Sequence, residues 1–150
     1  MSWALAAAVL ALLGLLAASW YGSHICFNPP KMLPNEVWPE QFGLAYETVE
    51  FDTADGLRLK GWLIPAKTPT DRAVMLLHGW GDNKGDLLRR IPFLAERFNL
   101  FGFDFRHHGE SGGDKSSIGC LETRDAEAAL AFLRRARPPW AARLGVLGLS

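Results

Sequence analysis

Gly148-Leu149-Ser150 forms the first half of a Gly-x-Ser-x-Gly turn. In such a turn a short strand breaks sharply into a helix and holds a serine exposed at the end of a sheet. The hydroxyl is then free to attack an acyl carbon. The serine backbone is strained there, so the positions two residues before and after must be nearly free of side chain. Gly148 meets the first of these demands. Acyl transfer by a serine needs a nucleophile, a base to take its proton, and donors for the oxyanion that develops. Ser150 is the candidate nucleophile, and its competitor is a solvated serine in an ordinary strand-to-helix loop. Gly-Leu-Ser alone does not decide between them.

Two upstream segments add weight. Arg72 to Leu77 is an apolar run of strand length that ends in His78-Gly79-Trp80-Gly81. Asn99 to Phe105 is a second such run, leading into Asp104-Phe105-Arg106-His107-His108-Gly109-Glu110-Ser111. Leu144 to Leu147 is a third, running into Gly148. Strand, His-Gly-aromatic-Gly, helix, strand, Asp-x-Arg-x-His-Gly-x-Ser, helix, strand, Gly-x-Ser resembles the N-terminal half of an α/β-hydrolase. Within that fold the chain resembles the bacterial membrane-anchored serine hydrolases grouped with esterases, lipases and serine aminopeptidases. The resemblance covers roughly residues 44–150.

The resemblance implies an α/β fold, with an antiparallel hairpin followed by parallel strands and flanking helices. It implies hydrolysis of an ester, thioester or amide of a small-molecule or lipid-like acyl substrate. The oxyanion donors would be two backbone N–H groups, one from residue 151 and one from the loop after His78-Gly79, assigned to Trp80. The Trp80 side chain would then shape the pocket and not donate. A single glycine before a bulky residue departs from the His-Gly-Gly-Gly pattern of some esterases of this fold. His78 and His108 would support loops by hydrogen bonding, and Asp104 and Arg106 would pair with each other beneath the site.

In this fold the acid and then the histidine follow the serine along the chain. His24, His78, His107 and His108 all precede Ser150, so none is expected to be the base. Residues 1–150 are therefore expected to be the N-terminal part of a longer protein, inactive alone. His107 and His108 with Asp104 make a poor metal site, because adjacent histidines on a loop lack a spaced partner. No metal or cofactor is expected.

The elements that must position these residues follow from patterning. Residues 3–22 carry no charge and are rich in Ala and Leu, enough at helical rise to cross a bilayer once. Trp20 and Tyr21 suit the interfacial aromatic belt. A retained anchor is favoured over a cleaved signal peptide, which would want a basic start and a shorter apolar run. The expected location is the membrane, through a single pass. Residues 23–43 read as a linker stiffened by Pro29, Pro30, Pro34 and Pro39, with Phe27, Trp38 and Phe42 apolar enough for part of it to pack.

Leu44 to Thr53 and Leu57 to Ile64 alternate like strands about the turn Ala54-Asp55-Gly56. Asp82 or Asn83 can cap a helix to about Phe98, kinked or split at Pro92. A second helix is expected from about Leu121 to Arg135, acidic early and basic late, closed by Pro138-Pro139. The 16 acidic and 16 basic residues leave no net charge, so nothing points to nucleic acid. Cys26 and Cys120 read as free thiols.

Two other readings stay open. Gly79-x-Gly81-x-x-x-Gly85 after a strand, with Asp104 after the next, imitates a dinucleotide-binding loop, although its third glycine is one residue late. The other is a non-catalytic protein of α/β-hydrolase fold at the membrane.

Overall fold

The computed structural model describes residues 2–28 and 36–149. Five strands form one mixed sheet in the order β1-β2-β4-β3-β5. They are β1 (Glu47–Asp52), β2 (Arg58–Ile64), β3 (Ala73–Leu77), β4 (Asn99–Phe103) and β5 (Leu144–Gly148). β1 and β2 form an antiparallel hairpin, and β2 also lies antiparallel to β4. β3 is parallel to both β4 and β5. The hairpin turn closes through Thr53, whose backbone pairs with Leu57 and Gly56, and Gly56 takes a φ of +81° that favours glycine.

Strand alternation divides the apolar residues between two layers. Phe51, Leu59, Leu63, Met75, Phe101 and Phe103 face α3 (Glu122–Ala136), which contributes Ala129, Phe132 and Leu133. Trp62, Ile64, Leu76 and Leu100 face α2 (Lys84–Arg90), which contributes Leu87 and Leu88. Asn83 caps α2 by accepting from the Gly85 and Asp86 amides, as expected of an Asn at that place. The helix ends at Arg90, short of the expected Phe98. Pro92 supplies no amide, and the chain continues as a 3-10 turn over Pro92–Glu96. Beyond α3 a further short helix, α4 (Pro138–Ala142), begins on the two prolines that were expected to act only as a stop.

The N-terminal helix α1 runs from Trp3 to Phe27, 25 residues, none of them buried. It exceeds the expected 3–22 stretch by more than a turn, because Ser23 and His24 interrupt hydropathy without breaking a helix. Much of the expected proline-rich segment lies outside the described residues. Its far end is packed: Val37 and Leu44 are buried, and Trp38 and Phe42 lie against the α2 layer. Val37 approaches α2 so closely that a Cβ at Gly85 would fall 2.5 Å from the Val37 carbonyl oxygen. Gly85 thus serves the contact between this segment and the helix.

Candidate functional site

The connection from β3 through α2 reaches β4 on one side, and the connection from β4 through α3 reaches β5 on the other. Connections that diverge in this way open a crevice at the carboxyl ends of the strands. Two clefts lie there, of about 340 Å³ and 250 Å³, on either side of the Gly79-Trp80 loop. Both are lined by Gly79, Trp80 and Leu149. The Leu149 amide donates to the Leu77 carbonyl at 3.0 Å, which pins the exit of β5 to the exit of β3. Ser150 itself lies outside the described residues. Gly148 is uncrowded among them, since an added Cβ would only touch Leu77 at 3.9 Å.

The two histidine loops brace each other. His78 Nε2 accepts the Phe105 amide at 2.9 Å, while Nδ1 faces the Gly79 carbonyl at 2.8 Å. His108 Nε2 accepts the Gly81 amide at 3.1 Å, while Nδ1 faces the Arg106 carbonyl at 2.8 Å. Each ring must therefore carry its proton on Nδ1 and present Nε2 as an acceptor. Burial holds His78 below the usual imidazole range, which suits this neutral form. Both nitrogens of both rings are engaged, so neither is available as a base or as a metal ligand.

Asp104 and Arg106 do not pair, contrary to the expectation from sequence. The Asp104 carboxylate is buried and accepts from the Lys84 amide at 2.8 Å, Lys84 Nζ at 2.6 Å and the Glu110 amide at 2.9 Å. Lys84 Nζ also reaches Glu110 at 2.6 Å and stands 4.6 Å over the Trp62 ring. Arg106 instead grips Asp125 of α3 with Nε and Nη2, and Asp55 of the hairpin turn with both terminal nitrogens. Its amide adds a further bond to Asp125 at 2.9 Å. Hydrogen bonding from Arg106 holds Asp55 well below the usual carboxylate range. Residues two apart in a turn point to different layers here, and each finds its partner in the layer it enters.

Lys84 was missed from sequence. A lysine in the first turn opposes the helix dipole, and that oddity was the available sign of a buried anion beside it. Glu122 was missed too. It accepts from the Ser116 hydroxyl at 2.9 Å, from the Ser117 amide and hydroxyl at 2.8 Å and 2.6 Å, and from the Gly119 amide at 2.8 Å. These bonds clasp the loop that lines one side of the smaller cleft. The loop holds Ile118 at a φ of +53°, a conformation costing a β-branched residue about 1–3 kcal/mol.

Burial alone would raise the Glu122 carboxyl, but the Ser117 and Gly119 donors outweigh it and pull it down to about 2. A carboxyl depressed in the folded state stabilises above its unfolded value of about 4.3, and that contribution is lost as pH falls towards the folded value. The contribution at neutral pH is at most about 3 kcal/mol. Glu122→Gln in the complete protein is expected to cost about 1–3 kcal/mol in urea unfolding at pH 7. The gap from wild type should narrow as pH falls from about 4.5 towards 2. A gap independent of pH would contradict this account.

The dinucleotide reading fares poorly against this geometry. A pyrophosphate needs free amides at a helix start. At the start of α2 the Lys84 amide is taken by Asp104, and the Gly85 and Asp86 amides are taken by Asn83. The Gly85 amide faces its own cap, and Val37 covers the helix.

No protein-family profile matches the chain. Uncharacterized protein YfhR of Escherichia coli strain K12 is 39% identical over 110 residues, covering 69% of this chain and 38% of that protein. Alpha/beta hydrolase domain-containing protein WAV2 of Arabidopsis thaliana is 29% identical over 119 residues, covering 76% of this chain and 37% of that protein. Among solved structures, the Pyrococcus furiosus esterase Pf2001 superposes with a TM-score of 0.75 at 33% identity. That match covers 82% of this chain and 46% of the esterase chain. The chain thus spans less than half the length of each of these proteins. With this sheet order and these neighbours, the chain belongs to the α/β-hydrolase superfamily.

Proposed function

We propose that this chain supplies the nucleophile and one oxyanion donor of a membrane-anchored serine hydrolase acting on an ester, thioester or amide. The observation that carries the reading is the bond from the Leu149 amide to Leu77. It brings the residue before Ser150 against the Gly79-Trp80 loop. Among the described residues the Trp80 amide has no acceptor, as an oxyanion donor requires before substrate binds. An esterase among the similar structures and a hydrolase name among the relatives support the reaction class.

In this mechanism Ser150 Oγ attacks the acyl carbon while a histidine beyond residue 150 takes its proton. The carbonyl π pair moves onto oxygen, where the Trp80 amide and the amide of residue 151 receive it. Collapse re-forms the carbonyl, breaks the bond to the alcohol, thiol or amine, and returns the proton to that leaving group. Water then repeats the sequence on the acyl-enzyme. His78 and His108 hold the loop that presents Trp80, while α1 keeps the protein in the membrane.

The test is covalent labelling of the complete protein by a fluorophosphonate, with the adduct mapped by mass spectrometry. Modification is expected on Ser150. An unmodified Ser150 in folded protein would favour a non-catalytic member of the superfamily.

A further inference from the structure

The end of α1 is bonded to the rim of the cleft. The Trp80 indole N–H donates to the Cys26 carbonyl at 3.0 Å, and the Ser116 amide donates to the Phe27 carbonyl at 2.8 Å. An α-helix leaves its last carbonyls without partners inside the helix. Here two of them are satisfied by loops that both line the smaller cleft, one after β3 and one before α3. Beside these contacts stand three exposed apolar side chains: Phe27, Trp80 and Ile118. Ile118 is 60% exposed although its backbone is strained, so the Glu122 clasp holds an apolar group out in solvent at the mouth.

The helix sets the depth of that mouth. Residues 3–22 span about 30 Å at helical rise, the thickness of a bilayer's hydrocarbon core. Trp20 and Tyr21 fall at its C-terminal boundary. From Tyr21 to Phe27 the helix rises about 9 Å, just more than the roughly 5–8 Å depth of one headgroup layer. The rim therefore rests on the membrane surface.

We propose that the cleft opens onto the bilayer through Phe27, Trp80 and Ile118, and that it takes an amphiphilic acyl substrate resident in the membrane. This rests on reading α1 as an anchor and the cleft as a hydrolase site. The occupant of the apolar rim is the lipid surface itself, because the helix that ends at the rim is long and apolar enough to span a bilayer.

The test uses the complete protein in phosphatidylcholine vesicles, with a bimane placed at Ile118→Cys in a Cys26→Ser, Cys120→Ser background. If that variant does not fold, the native Cys120 in Cys26→Ser protein carries the label. The control is Asp71→Cys, which pairs with Arg143 near the opposite end of β3. A headgroup-attached nitroxide lipid is expected to quench the rim label at least about threefold more than the control. A hexadecyl fluorophosphonate in the same vesicles is expected to label Ser150 at least about tenfold faster than its ethyl analogue.

Equal quenching at both positions overturns the proposal, and so does equal labelling by the two probes. Recovery of the intact protein in the aqueous fraction removes the anchor and overturns it as well. The two readings fail separately. Ser150 labelled by the ethyl probe with an unquenched rim sinks only the membrane-facing proposal. A quenched rim with no serine adduct keeps the lipid contact and sinks the hydrolase.

Discussion

Turnover by the complete protein should fall about 10⁴- to 10⁶-fold in Ser150→Ala, with the folded state preserved. The substitution removes the oxygen that forms the acyl-enzyme and adds no volume. Its neighbours should hold their places, because the Leu149–Leu77 bond is made by backbone. Circular dichroism and the thermal midpoint should stay close to those of wild type. The residual rate would come from binding and oxyanion stabilisation alone. Turnover within about tenfold of wild type would place the nucleophile elsewhere and withdraw the assignment of the final strand.

Asp104→Ala should be the most destabilising of the substitutions near the site, at about 3–5 kcal/mol. It takes from the buried Lys84 ammonium its buried carboxylate partner and removes the carboxylate that the Lys84 and Glu110 amides donate to. Glu110 would remain as the only described carboxylate partner of that ammonium. A double-mutant cycle with Lys84→Met separates the pair from the amides. The double variant should cost less than the sum of the singles by at least about 1 kcal/mol, because Met removes the orphaned charge. Additivity in urea unfolding of the complete protein would mean that the ammonium and carboxylate do not stabilise each other.

The strands were legible because alternation and apolar runs are local properties. All five begin and end within about three residues of the segments the patterning marked. The histidine loops were legible as motifs, and their support by hydrogen bonding followed from the resemblance. What sequence could not supply was partnership. Arg106 lies two residues from Asp104 but pairs with Asp125 and Asp55, 19 and 51 residues away. Lys84 offered only the oddity of a cation in a first helical turn, and its partner appears only once α2 meets β4; Glu122 finds its partners only once the loop before α3 folds back on it. The Gly79–Gly85 spacing misled for the same reason. Gly85 is small because Val37 lies against it, which no spacing rule contains.

The exchange between His78 and His108 makes two loops into one part. Each imidazole belongs by sequence to one loop and by hydrogen bond to the other. Neither loop can be remodelled alone, because moving either withdraws an acceptor that its neighbour's amide requires. This part of the cleft wall is thus one mechanical unit assembled from segments 27 residues apart. Outside the brace, the cleft borders the Trp80 side chain and the clasped loop at Ile118, which can change without breaking it.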